Sequence, residues 1–219
     1  MAISVIVPVF NEEAMLSDFL HQTANWPITE IIMVDGNSTD QTQLMIRRAP
    51  RARLLVTKKG RGHQMNEGAR VAIGDVLLFL HADTILPPNG FSAISQALQN
   101  TDIVGGAFRL KINSNSLFLK FISMMANMRS ALFGLPYGDQ GIFVRRAVFN
   151  KMGGYQDFPL MEDVEFIQRL KREGRITLLD QAITTSARKC SLFASIRNII
   201  LLALYFIGVS PKHLAKWYN

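Results

Sequence analysis

The sequence has a single cysteine, Cys190, in 219 residues. One thiol excludes an internal disulfide framework and fits a reducing compartment. No apolar run reaches the ~20 residues that a membrane-spanning helix needs. The longest, Ile199 to Val209, falls well short of it. Met1 to Pro8 has no basic leader before its short apolar stretch and reads as a first strand, not a signal peptide. Gly-x-x-x-x-Gly-Lys-Ser/Thr is missing, as is Gly-x-Gly-x-x-Gly after the first apolar run, so ATPase and dinucleotide readings lose ground. No basic helix with interleaved aromatics is present to support nucleic-acid binding. Internal repeats and low-complexity tracts are also missing.

What is present suits one globular domain with a C-terminal appendage. Hydrophobic residues make up 48% and charged residues 19%, enough to bury a sizeable core. The net charge of +7 suits an anionic partner such as a nucleotide, a phosphate or acidic lipid, although solubility alone would also account for it. Lys189, Arg197, Lys212, His213 and Lys216 flank the C-terminal apolar run, and Trp217 and Tyr218 follow it. That mix suits a helix lying in the inner face of a membrane or on a partner, with a buried core helix as the alternative.

The first half alternates apolar runs with helical spacing. Strands are predicted over Ile3–Val9, Glu30–Asp35, Arg53–Val56 and Val76–His81, with helices over Glu12–Gln22, Asp40–Ala49 and Gly62–Ala72. Such a series argues an α/β fold whose mostly parallel sheet is covered by helices. Further on, a helix runs from Pro87-Pro88 to Asn100, a strand over Ile103–Lys111, a Met-rich helix over Ser116–Leu132 and a short strand over Gly141–Arg145. Met161–Glu173 is a helix ended by Gly174. The expected organisation is a domain over 1–188, with a nucleotide half over 1–110 and an acceptor half over 111–188, followed by an apolar, basic tail over 189–219.

Several strand ends carry polar residues. Val76 to Leu80 runs into His81-Ala82-Asp83; on a strand these two side chains point the same way, and both can ligate a divalent metal. An Asp capping a turn is the plain alternative. Pro8-Val9-Phe10-Asn11-Glu12 leads into a helix start, and Asp35 ends the second strand before Gly36-Asn37-Ser38-Thr39-Asp40. A carboxylate there can accept from a base imide or a ribose hydroxyl, while Ser38 to Asp40 suit a helix cap. Lys58 to Asn66 is a basic, glycine-rich loop running into a helix, either an anion site or a solvated basic face.

In the second half, Glu162 and Asp163 are adjacent on a helix, so about 100° separates them and at most one faces a given point. One positioned carboxylate suffices to take a proton from a hydroxyl; acids favoured by the helix dipole are the competing account. Gly138-Asp139-Gln140-Gly141 either lines an acceptor pocket or is an ordinary turn. Gly153-Gly154-Tyr155 gives a loop that could close over an acceptor. Arg188 and Lys189 could reach a diphosphate or sit near anionic lipid. Met124, Met125 and Met128 read as core packing.

In order, these segments resemble the inverting nucleotide-sugar glycosyltransferases of family 2, which have the GT-A fold. The resemblance rests on Pro8 to Glu12, Val34 to Asp40, Gly62 to Gly68, His81 to Asp83 at the family's Asp-x-Asp position, and Met161 to Asp163, and covers Ile3 to about Arg188. It implies that Pro8, Asn11 and Glu12 surround the nucleotide and that Asp35 receives the base. Arg61, Asn66 and nearby backbone then lie against the donor, Asp83 holds Mn²⁺ or Mg²⁺ on the diphosphate, and Asp163 is the catalytic base. Asp139, Gln140 and Glu162 become acceptor contacts. The family's first aspartate is His81 here, a ligand that accepts Mn²⁺ better than Mg²⁺. The implied activity is metal-assisted sugar transfer to a glycan, lipid or small-molecule acceptor. It would take place in the cytoplasm at the inner face of the membrane, reached through the C-terminal helix. A sugar-nucleotide nucleotidyltransferase and a non-catalytic nucleotide-binding module are the alternatives. Oligomeric state stays open.

Overall fold

The computed structural model describes residues 1–187 and 192–218. Arg188 and Lys189, with the boundary expected between them, lie outside the described residues.

The first half follows the alternation. Strands β1 (Ile3–Val9), β2 (Glu30–Asp35), β3 (Ala52–Val56) and β4 (Val76–Phe79) alternate with helices α1 (Glu13–Thr23), α2 (Thr42–Arg48) and α3 (Arg61–Val71). β1 pairs in parallel with β2 on one side and β4 on the other, and β3 pairs in parallel with β2. Val5, Ile6, Val7, Ile32, Val34, Leu77 and Leu78 are buried because helices cover both faces, which is why these strands are nearly continuous in aliphatic residues.

The second half keeps the expected strands and helices, their ends shifted by at most three residues, and adds others. A two-residue strand β5 (Thr84–Ile85) precedes α4 (Gly90–Ala97), β6 (Ile103–Asn113) and α5 (Leu117–Phe133). Then come β7 (Ile142–Arg145), α6 (Arg146–Met152), α7 (Glu162–Glu173), β8 (Arg175–Ser186), α8 (Leu192–Phe206) and α9 (Pro211–Tyr218). The expected helix from Pro87 begins only at Gly90, because Gly90 N–H closes a turn onto the Pro87 carbonyl at 2.8 Å. α7 ends at Gly174 as expected, but Gly174 is extended rather than left-handed: the chain passes straight into β8, and a Cβ there would stand 2.5 Å from Val104 Cγ1. The division expected at residue 110 falls inside β6, which pairs with both β7 and β8, so the two halves share a strand.

The strand order is β3-β2-β1-β4-β7-β6-β8-β5, with β7 antiparallel to both neighbours and β6 parallel to β8. β5 lies at the far edge from β4 although only residues 80–83 separate the two. Five residue steps reach at most about 17 Å, whereas four flat strand spacings span about 19 Å. The sheet therefore curls. Breaks in the β6–β8 register at Ile103/Gly105 and Phe108/Arg109 bend the long pair. The curl pairs Thr185 near the end of β8 with Thr84, and Thr185 and Ser186 line one cavity with His81 and Asp83, just past β4.

Candidate active site

The predicted strand through His81 stops at Phe79. Leu80 N–H still bonds the Ile6 carbonyl at 3.0 Å, but Thr84 N–H then turns back onto the His81 carbonyl at 3.2 Å. The chain must change direction here to reach β5, so His81 and Asp83 sit in a turn rather than on a strand. Both nevertheless face one cavity of about 250 Å³, with Arg61, Asp139, Glu162 and Asp163. This cavity lies beyond the carboxyl end of β4, where α/β sheets bind ligands.

Asp163 enters from the first turn of α7. Met161 takes a left-handed conformation (φ 65°) before the helix and aims that turn into the cavity. Gly138 N–H donates to Asp163 Oδ2 at 2.7 Å and Val164 N–H to Oδ1 at 2.8 Å, which fixes the carboxylate. Glu162 lines the same cavity but turns to Arg61: its side chain is 6% exposed and pairs with Arg61 at 3.6 Å, whereas that of Arg61 is 51% exposed. Burial, reinforced by Asp163 and opposed by Arg61, pushes the Glu162 carboxyl up to about 7.

Asp139 follows Gly138 in a 3-10 turn over Gly138–Gln140. Its Oδ1 is buried with no hydrogen-bond partner among the described residues. Burial pushes this carboxyl up to about 6; Arg129 opposes the shift, and Asp163 and Asp83 reinforce it. Gln140 does not line the cavity. It is fully buried, its amide Nε2 donating to the Phe108 carbonyl at 3.0 Å. Its Oε1 accepts from Ser130 Oγ at 2.8 Å, and from Arg129 Nη2 and Tyr137 N–H at 3.2 Å. Arg129 also lies 3.3 Å over the Tyr137 ring. Gln140 therefore holds the turn that presents Gly138 and Asp139, and the acceptor contact expected of it is not seen. Arg129 and Tyr137 carry no motif and were not foreseen.

The expected nucleotide residues form a separate crest. Pro8 is the penultimate residue of β1 and Asp35 the last of the neighbouring β2, with Pro8 in register with Val34 and Val9 with Asp35. Asn11 has φ 52°; its N–H donates to Ser38 Oγ at 2.9 Å, and its Oδ1 accepts from Thr39 N–H at 2.9 Å. Glu12 N–H donates to Thr42 Oγ1 at 2.9 Å. Asp35 is fully buried, with Oδ2 accepting from Ser38 N–H and Gln43 Nε2, each at 2.8 Å, and Oδ1 accepting a short bond from Ser38 Oγ. Its carboxylate thus organises the turn. Asn66 faces away from this crest: Nδ2 donates to the Tyr155 carbonyl and Oδ1 accepts from Tyr155 N–H, both at 2.8 Å. It clamps α3 to the Gly153–Tyr155 loop.

The donor set bears on a metal. No group of three or more His, Cys, Asp or Glu side chains is arranged to hold a cation among the described residues. Asp83, Asp139 and Asp163 nonetheless share one cavity, with a buried carboxylate oxygen of Asp139 lacking a partner. These residues fit a divalent cation that takes most of its oxygen ligands from a bound diphosphate and water, and do not fit one held by protein alone.

The C-terminal helices also reach the cavity, through Asn198, Leu201 and Tyr218. Tyr205, farther along α8, lies against α7: burial first, then Glu165 and Asp163, raise its phenol above the ordinary value. Phe193, Ile199 and Ile207 are exposed on α8 and the turn after it. No helix among the described residues is long and apolar enough to cross a membrane.

Comparison with known proteins bears on the family and the fold. The chain is 27% identical over 208 residues to a probable glycosyltransferase YdaM of Bacillus subtilis, covering 83% of this chain and 50% of that protein. It is 30% identical over 157 residues to an undecaprenyl-phosphate 4-deoxy-4-formamido-L-arabinose transferase of Proteus mirabilis, covering 65% of this chain and 48% of that one. The chain thus spans about half the length of the curated relatives it matches. Among solved structures, the mannosyltransferase PcManGT of Pyrobaculum calidifontis, in complex with GDP-Man and Mn²⁺, superposes with a TM-score of 0.73 at 17% identity, over 96% of this chain and 66% of that one. TarS 1-349 of S. aureus with UDP-GlcNAc gives 0.68 at 16% identity, over 100% and 71%. Such likenesses carry the fold. Residues 4–153, well over half of the sequence, match the family model described as glycosyl transferase family 2, and to that family the chain belongs.

Proposed function

We propose that this protein transfers a sugar from a nucleotide-diphosphate donor, with inversion, to the hydroxyl or phosphate of an acceptor at a membrane surface. The observation that carries this reading is the convergence of Asp163, Asp83, His81 and Arg61 on one cavity beyond the carboxyl end of β4. The crest formed by Pro8, Asn11, Glu12 and Asp35, at the carboxyl ends of β1 and β2, holds the nucleotide. Asp35 acts there through its turn, because its own oxygens are occupied by Ser38 and Gln43.

With a hydroxyl acceptor, Asp163 takes the proton as that oxygen bonds to the anomeric carbon. With a phosphate acceptor the attacking oxygen is already ionised, and Asp163 takes only the proton of the monoanion and orients the group. In either case the bond from that carbon to the diphosphate breaks on the opposite face. The Gly138 and Val164 N–H groups keep the Asp163 carboxylate in place for this. Arg61 and Lys59 carry positive charge at the diphosphate end. A divalent cation, Mn²⁺ or Mg²⁺, held by Asp83 with His81 and Asp139 nearby, would neutralise the leaving diphosphate. Asp139 faces the acceptor, and Glu162 keeps Arg61 oriented.

The names of the relatives support a lipid-phosphate acceptor: the Proteus mirabilis protein is an undecaprenyl-phosphate transferase. The exposed apolar side chains of α8, with Lys212 and Lys216 beside them, suit attachment to the inner face of an anionic bilayer. Transfer from UDP-GlcNAc or GDP-mannose to undecaprenyl phosphate, measured with Mn²⁺, tests the reading. Asp163→Asn and Asp83→Ala should each lower turnover at least ~100-fold. Turnover unaffected by both substitutions would overturn it.

A further inference from the structure

One wall of the reaction cavity comes from the far end of the chain. Asn198 and Leu201, one turn apart on α8, and Tyr218, in the last turn of α9, line it beside Arg61 and Asp163. Leu201 and Leu214 are the buried anchors of the two helices, at 2% and 0% exposure. Neither explains the placement of Tyr218, which is 40% exposed. Arg197 does: its Nη1 donates to the Tyr218 carbonyl at 2.9 Å, and its guanidinium lies 4.2 Å over the Tyr218 ring. A cation over an exposed ring is worth about 0.5–1 kcal/mol, too little to hold a helix but enough to select the orientation of one side chain.

We propose that Tyr218 is a substrate-binding residue that determines acceptor specificity, and that Arg197 is its positioning residue. With one ring face covered by Arg197, the phenol turns its edge and hydroxyl to the cavity, where Leu160 and Leu201 supply apolar surface and Arg61 a cation. That combination takes an anionic amphiphile, a phosphate on an apolar chain, with the chain leaving along the exposed side of α8. The assignment rests on the transferase reading above and adds the acceptor's contact to it.

The two can be tested apart. Trp26→Phe leaves Trp217, next to Tyr218, as the sole tryptophan. Titrating this variant with undecaprenyl phosphate in detergent micelles, in the presence of UDP and Mn²⁺, should give a saturable change in Trp217 emission. Tyr218→Ala and Arg197→Ala should weaken that binding at least tenfold, Arg197→Lys should restore part of it, and Asp163→Asn should leave it intact. Calorimetric affinity for UDP or GDP with Mn²⁺ should stay within twofold in every variant. In turnover, Tyr218→Ala should raise the acceptor KM while sparing kcat. Unchanged acceptor binding in Tyr218→Ala, or an equal loss of nucleotide affinity, overturns the proposal even if Asp163→Asn abolishes transfer. Acceptor binding that depends on Tyr218 without any transfer would support it and count against the transferase reading instead.

Discussion

His81 Nε2 and Asp163 Oδ2 both approach Gly138, each 3.4 Å from where a Cβ on that glycine would lie. The groups proposed for the metal and for the base therefore share one small gap, kept open by a missing side chain. Gly138→Ala meets only ordinary van der Waals contact, so the fold should change in stability by less than about 0.5 kcal/mol. The methyl nevertheless occupies space between the two catalytic ends. Donor turnover should fall at least tenfold while the urea midpoint stays put, a split that equilibrium unfolding and a transfer assay measured together would reveal.

Glu162 gives a pH signature. Its carboxyl rises from 4.5 to about 7 in the folded chain. The folded state therefore keeps a proton that the unfolded chain releases, so this contribution to stability is complete below about pH 4.5 and lost as pH rises through about 7. Asp139, raised from 3.8 to about 6, acts in the same direction. In metal-free buffer, the Tm of the wild type should decline across this window. Glu162→Gln should flatten the decline and be relatively more stable at pH 8; parallel curves would show that Glu162 does not titrate there.

Asn66 and Gln140 should behave as structural polar residues. Asn66→Ala strands the Tyr155 N–H and carbonyl, and Gln140→Ala strands the Phe108 carbonyl and the Tyr137 N–H, while Ser130 keeps its bond to the Ala126 carbonyl. Each loss should cost about 1–3 kcal/mol in urea unfolding. Activity per folded molecule should survive Asn66→Ala better than Gln140→Ala, because Gln140 braces the turn that carries Gly138. Equal turnover losses would argue against that distinction.

Leu214 is the fully buried side chain of α9. Leu214→Ala should cost about 2–5 kcal/mol if α9 unfolds with the rest of the chain. If α9 detaches alone, the global transition will hardly move, and hydrogen exchange will report the loss as faster exchange confined to residues 211–218.

The first half of the fold was legible because its strands are buried on both faces and its helices have the 3.6 spacing, so pattern and packing agree. β8 was missed: its burial is mostly partial and its pairing is interrupted near Phe108 and Arg109, so no clean alternation marks it. β5, with two residues, is too short to leave any period. At the site, motif order brought Asp83, His81, Arg61 and Asp163 together on paper, and they line one cavity. Motifs do not encode which way an amide faces, which is why Asn66 and Gln140 were expected to meet ligand and instead bond to backbone and loop. Tyr218 belongs to no motif. Its place depends on how two terminal helices fold back.

The curl of the sheet also governs the order of assembly. β1 through β4 pair within residues 3–79, whereas β5 has no partner until β8, nearly a hundred residues later, is in place. Contacts of such wide sequence separation form late. In refolding, burial of the parallel strands should precede the capacity to bind UDP with Mn²⁺; simultaneous recovery would contradict this. The turn bearing His81 and Asp83 is synthesised in the first half of the chain but is set only when its last strand docks, so a truncated or stalled chain can hold a formed core and still have no working site.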